Sequence, residues 1–379
     1  MILIGTDDGI YRWYEGAGWP VFHSLQNRSI VGLSAPGPGM LIALDHEGAI
    51  FETANNGQEW RSIPLAAGCG HPTTLTAWGN PPCVVLASRS SSMWRRPFGA
   101  ATPALVEAGA TAPSRLSQTL SRTGAGKGLL TPGRWAAAPD RTVGWTRLGP
   151  LSTGKPSTGK SSGGKGSSAK GEKGAGQGSE VRALARLEGT PAPWFAAAKG
   201  AGLWRSTDQG ASWKPCPGLT AEVQAIRPVP ERPGTLYVAT SDGCWLSTDA
   251  GQSWEERSGG LENARYLSAI EVKPGAPDVL LAGAAAQGPN ETAATPYQGL
   301  EFSLYESKDG GKTWSLVRRG NPDRFENDLI TDLRHDPAAP DNIVMALASG
   351  ELWMTPNAGA FWTPLARKIR AARVLCPIA

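Results

Sequence analysis

Asp208, Asp249 and Asp309 stand at the same place in three octapeptides: STDQGASW (206–213), STDAGQSW (247–254) and SKDGGKTW (307–314). A carboxylate repeated at a fixed distance from a hydroxyl and an indole could be a general acid or base. It could equally be a hydrogen-bond acceptor that shapes a turn. Two looser copies, TPNAGAFW (355–362) and TANNGQEW (53–60), decide between these by putting Asn357 and Asn55 at the aspartate's place. An amide cannot exchange a proton as a carboxyl does, yet it still accepts backbone N–H bonds in an Asx-type turn. The expected role is structural. Gly210, Gly251 and Gly311 can take a positive φ in that turn at no steric cost. Trp213, Trp254, Trp314, Trp362 and Trp60 would then bury against a neighbouring unit, each contributing on the order of 2–3 kcal/mol by apolar transfer.

Other chemistry has little support. His23, His46, His71 and His335 are isolated, with no H-x-H or H-x₃-H pair to bind a metal. Cys69, Cys83, Cys216, Cys244 and Cys376 are odd in number and never spaced C-x-x-C, so they read as small buried apolar residues. Neither metal nor cofactor is expected.

The elements that carry the octapeptides repeat with them. Nine residues before the closing Trp stands another aromatic: Trp204 before Trp213, Trp245 before Trp254, Tyr305 before Trp314, Trp353 before Trp362, Phe51 before Trp60. Weaker copies run from Trp135 to Trp145 and from Tyr11 to Trp19, and Trp94 has no closing partner. The closing tryptophans are 41, 85, 68, 41, 60 and 48 residues apart. Two units in the longest gap, and a 29-residue Gly/Ser/Lys tract in the 68-residue one, leave a period of roughly 40–45 residues, which marks β-propeller blades. Within 327–365 the pattern reads as four short strands separated by turns. The expectation is a single all-β propeller domain over 1–379, with eight four-stranded blades favoured and seven the alternative. Pairing of 372–378 with 1–6 would close the ring and remove its open edge.

These octapeptides resemble the Asp-box, or BNR repeat, Ser-x-Asp-x-Gly-x-Thr/Ser-Trp, shared by sialidases, sortilin-type receptors, xyloglucanases and photosystem II assembly factors. The resemblance implies a propeller, and the families sharing it do different things. The sialidase motifs are missing: the string nearest to Arg-Ile-Pro is Ile226-Arg227-Pro228, reordered and mid-chain, and the first 28 residues hold only Arg12 and Arg28. A xyloglucanase-like hydrolase would need two carboxylates flanking a cleft; Glu262 with Asp328 or Asp332 are the candidates.

In such a ring, connections between the second and third strands and between consecutive blades share one face. Two insertions map there: the tract 151–179 and the loop 285–302. Binding residues concentrate on loops of this kind, so Glu262, Arg265, Tyr266, Arg318, Arg324, Asp328 and Asp332 form the candidate ligand face. The tract carries five Lys and one Glu, a net +4 equal to the formal charge of the whole chain, so the remainder is neutral. It reads as disordered. Without interleaved aromatics it offers nucleic acid only weak, screened phosphate contacts. No apolar run is long enough to span a membrane, and the N-terminus MILIGTDDGI has no basic leader, so a cytoplasmic monomer is expected. The functional expectation is a non-enzymatic scaffold for a protein or peptide; the alternative is a glycoside hydrolase or carbohydrate-binding propeller using the same face.

Overall fold

The structure, a computed structural model, describes residues 1–14, 20–79, 81–89, 92–99, 145–151, 180–189, 192–320, 325–365 and 372–378. Among them lie seven antiparallel sheets, each with a path of four strands from the channel outward, consecutive in the chain in six of them; the sixth carries a fifth strand, Phe325–Glu326, beside its third. The chain is a seven-bladed β-propeller. Burial explains why the strands differ along each blade. Second strands such as Trp194–Ala198, Leu236–Thr240 and Leu280–Ala285 are buried at every position, sandwiched between the neighbouring sheets, and so read as unbroken apolar runs. Fourth strands such as Lys214–Pro215 and Glu255–Glu256 form the exposed rim.

The count of seven corrects the expected eight. Pro72–Trp78, Cys83–Ser88, Met93–Pro97 and Thr146–Arg147 make one sheet. Trp94 pairs with Arg147, and Trp94 and Trp145 share one apolar cluster. The Trp ladder measures the turn between the third and fourth strands. In the third blade the third and fourth strands are separated by residues 98–145, a length that reads in the sequence as one more blade. The weaker copies at Trp19 and Trp135, Arg324, and residues 152–179 lie outside the described residues.

The first blade is completed by both chain ends. Ala372–Pro377 pairs antiparallel with Ile2–Thr6, Leu3 facing Cys376 and Ile4 facing Leu375. The Met1 amino group donates to both carboxylate oxygens of Asp336 at 2.7 Å, tying this blade to the seventh.

The octapeptides close the third-to-fourth-strand turns. Asp249 Oδ1 accepts from the Ser247 hydroxyl (2.8 Å) and from the amides of Gln252 and Ser253 (2.9 Å each), while Oδ2 accepts from the Ser253 hydroxyl (2.6 Å). Asp208 and Asp309 repeat the pattern, as do Asn55 and Asn357 through their amide oxygens. Two successive left-handed residues build the turn, where the sequence pointed to one: Ala250 (φ 59°) precedes Gly251 (φ 80°), and Gln209 (φ 57°) precedes Gly210 (φ 86°). The second must be Gly, because a Cβ at 251 would stand 2.6 Å from the Phe195 ring of the preceding blade. Trp213, Trp314 and Trp362 pack into the apolar layer shared with the preceding blade, and Trp314 Nε1 donates to Arg257 O there at 2.7 Å.

Candidate functional site at the channel mouth

Each inner strand enters the channel from the face that carries the connections between blades, and each carries one extra residue near that entrance. The pairing to the second strand skips Val31, Thr73, Arg182, Gln224, Ser268 and Thr331 in blades two to seven. In the first blade it skips Arg373. A bulge re-aims a side chain and ends regular pairing, so seven bulges at one level put a ring of seven residues around the mouth. Five of the seven are polar on consecutive blades, from Arg182 to Arg373, with Thr73 a sixth. Arg182 Nη1 donates to Gln224 Oε1 (2.8 Å) and lies 3.3 Å from Glu222. Ser268 Oγ donates to Ile330 O of the next inner strand (2.6 Å). Arg373 clamps Asp7 with two bonds of 3.0 Å, and this guanidinium holds the Asp7 carboxyl below its usual range.

A strap crosses the mouth. Residues 286–300 connect Leu280–Ala285 to Glu301–Ser307 in the sixth blade. Glu291, near the middle of the strap, pairs with Arg182 and Lys199 of the fourth blade, two blades away. Gly288 of the strap lies against the Tyr266 ring beneath it so closely that a Cβ would stand 2.3 Å from the ring. Tyr266 stacks edge-on against Phe302 (centroids 6.0 Å, 87°), and burial pushes its hydroxyl up to about 12. The Tyr266 hydroxyl therefore stays protonated, a neutral donor and acceptor.

The remaining candidates fall into three groups. On the rim, Arg265 is held by Asp242 and Glu256 at 2.7 Å each. Glu262 accepts from the Gly260 amide at 2.9 Å, a bond that lowers its pKa. Arg318 is exposed. Asp328, buried, accepts from the amides of Leu329 (2.8 Å) and Ser349 (3.0 Å), fastening two connections together. Asp332 lies deeper, within a four-membered charge ring spanning three blades. Arg227 Nε is 2.8 Å from Glu271 and its Nη2 3.1 Å from Asp332; Arg334 stands 3.3 Å from each carboxylate. Leu375 N donates to Asp332 Oδ2 (3.3 Å), which ties the closing strand to the same ring.

The structure thus brings Tyr266, Asp328 and Asp332 to the mouth and inner wall and leaves Glu262, Arg265 and Arg318 on the rim. Arg182, Gln224, Arg373, Glu291 and the Arg227–Glu271–Arg334 partners escaped the sequence reading. Superimposing the inner strands VRALAR, VQAIRP, SAIEV, TDLRHD and ARVLCP would have revealed their charged positions. Among the described residues no group of three or more His, Cys, Asp or Glu is placed to hold a metal ion, and no helix is long and apolar enough to cross a membrane.

This geometry has relatives. A family model, Sortilin-Vps10 (Sortilin, neurotensin receptor 3), matches residues 201–323. No curated protein sequence matches the chain. The fold resembles that of the Niastella koreensis GH74 enzyme, with a TM-score of 0.60 at 12% identity over 95% of this chain and 51% of that one. It also resembles the Xanthomonas campestris GH74 xyloglucanase, with a TM-score of 0.56 at 16% identity over 99% of this chain and 51% of that one. YCF48 bound to D1 peptide superimposes with a TM-score of 0.55 at 13% identity, over 93% of this chain and 88% of that one. The chain spans about half the length of the two GH74 enzymes. At such identities the likeness is one of fold: the chain has the propeller architecture that serves enzymes and a peptide binder alike.

Proposed function

We propose that this propeller, built on Asp-box repeats, is a non-enzymatic scaffold that binds a protein or peptide at the strap-bearing mouth. What supports the reading is the state of the carboxylates. A glycosidase needs two carboxyl groups free to donate a proton and to attack or activate water. Asp332 and Glu271 are each bridged by two guanidinium groups, and Asp328 and Glu262 are spent on backbone amides. Fixed carboxylates of this kind brace a channel. They do not cycle protons. The peptide bound to YCF48, which shares the fold over nearly the whole chain, favours the same class of ligand.

Affinity capture with the intact protein, compared with a version lacking 286–299 and with Arg182→Glu, tests the reading. The expected result is a set of partners held by the intact protein and altered by both changes at the mouth. Release of reducing ends from xyloglucan oligosaccharides by the intact protein, abolished by Asp332→Asn, would establish the hydrolase alternative instead.

A further inference from the structure

On the opposite face, where the octapeptide turns lie, a groove of about 640 Å³ runs between the third and fourth blades. That volume falls within the range of ligand sites. Its walls come from three connections: the hairpin after Trp78, the hairpin after Arg186, and the octapeptide turn at Gln209. Trp78 and Trp194 stand edge-to-face at its base (5.3 Å, 70°), and Pro81, Pro82 and Pro97 line its side. Among the described residues the lining includes Arg95, Arg96 and Arg186 and no carboxylate, and the Arg96 guanidinium turns away, over the Trp145 ring and 3.9 Å from Glu52. Arg95 is anchored by Gln209, donating to its side-chain oxygen at 2.8 Å. Arg186 differs. It is half-buried at the end of its inner strand and has no hydrogen bond or ion pair among the described residues.

The Arg186 guanidinium is not among the buried unpaired groups, so it reaches solvent and is open to an incoming acceptor, with which a charge-assisted bond would be strong. Half-buried Arg182, Arg265 and Arg334 each have a carboxylate within 3.3 Å, whereas Arg205, away from the groove, resembles Arg186 in having none among the described residues. We propose that this groove binds a short acidic segment of a partner protein, whose carboxylate pairs with Arg186 while an adjoining apolar or proline side chain packs on Trp78 and the prolines. The aromatic and proline wall matches the surfaces on which extended, low-entropy peptides dock. A nucleic acid would call for a basic track continuing beyond the groove, and here, among the described residues, only Arg95 and Arg186 are available to it, Arg96 being turned towards Glu52 and Trp145.

Panning phage-displayed random heptapeptides against the whole protein tests this. The expected outcome is enrichment of sequences with Asp or Glu beside Pro or an apolar residue. A synthetic peptide of the enriched sequence should lose about tenfold or more in affinity to Arg186→Glu, the scale of one charge-assisted contact, and Arg186→Lys should restore part of it. Arg186→Glu should leave the melting temperature unchanged, since no partner is removed. Glu291→Gln, on the other face, should leave peptide binding intact, so the failure of either site says nothing against the other. The proposal is overturned by enrichment without acidic residues, by binding indifferent to Arg186→Glu, or by displacement with an oligothymidylate. Binding that emerges only after deletion of 100–144 overturns it too, because the chain's own segment would then be the occupant.

Discussion

Arg227 Nη2 lies 3.1 Å from Asp332 Oδ1, joining the inner strands of the fifth and seventh blades past the sixth. The sixth contributes Glu271, 2.8 Å from the same guanidinium, so three blades share one set of charges. Removing one member of a buried ion group strands the others without compensation. Asp332→Ala is therefore expected to destabilise the fold by about 3 kcal/mol, read as a lower urea midpoint at unchanged slope. Combining it with Arg334→Met should recover part of the loss, because the surplus positive charge is then gone. Equal midpoints for Asp332→Ala and wild type would mean that the ring contributes nothing.

The octapeptide aspartates make a different prediction. Burial works to raise the Asp249 pKa, but the hydroxyl and amide of Ser253 outweigh it and bring it down to about 2. A carboxylate lowered in the folded state stabilises above its ordinary pKa, and that contribution fades as pH falls from about 4 towards 2. Asp249→Asn keeps the oxygen that accepts from the turn, as Asn357 does for the Phe361 amide at 3.0 Å. It should cost less than the alanine change at pH 7, since it gives up the charge and the Ser253 hydroxyl bond to the second oxygen but keeps the amide acceptor. Asp249→Ala leaves the turn amides without their acceptor and should cost about 1 kcal/mol, discounted for the exposure of the turn. Chemical denaturation of both variants at pH 7 and pH 3 checks this: the alanine defect should shrink at the lower pH.

How much of this was legible in the sequence depended on distance along the chain. The octapeptides are local: Ser247, Asp249, Gly251 and Ser253 meet within seven residues, so their spacing carried their role. Blade number was misread because the Trp ladder assumes a short spacing between third and fourth strands, and Trp94 and Trp145, far apart in the sequence, belong to one blade. The bulge ring was invisible for a physical reason. An extra residue such as Arg182 or Arg373 shows only against the strand it pairs with, and strand alternation in the sequence reads straight through it. Asp332 was picked out, but its partner Arg227 and the second carboxylate of the ring, Glu271, lie 105 and 61 positions earlier.

His335 gives a pH dependence of its own. The ring is buried in the inner strand of the seventh blade, with Nδ1 2.6 Å from Pro340 O and no partner for Nε2. Nδ1–H therefore donates, and the neutral ring is the one that fits. Burial is the largest influence and pushes the pKa below the ordinary histidine value, although Glu271 pulls the other way. Folding then excludes a proton that the unfolded chain accepts. Stability is complete above about pH 6.5 and declines as pH falls below it, because the unfolded state binds the extra proton. The urea midpoint should drop between pH 7 and pH 5, and His335→Gln, weaker at pH 7, should show a smaller drop. The same slope in both would assign the effect to other groups.

The strap yields the last prediction. Glu291 holds 286–300 across the mouth by pairing with Arg182 and Lys199, at positions open enough for salt to screen them. Glu291→Gln keeps the side chain's size while removing the charge. It should leave the melting temperature within about 1 °C, since partly exposed pairs contribute little to global stability. Local opening should change far more. Limited proteolysis between 286 and 300 should run severalfold faster in Glu291→Gln, and wild type should approach that rate as ionic strength rises. The charge itself is the cause only if Glu291→Asp, with the carboxylate retained on a shorter arm, cuts at an intermediate rate. Identical cleavage of all three proteins would show that the strap is held by the Gly288–Tyr266 contact instead.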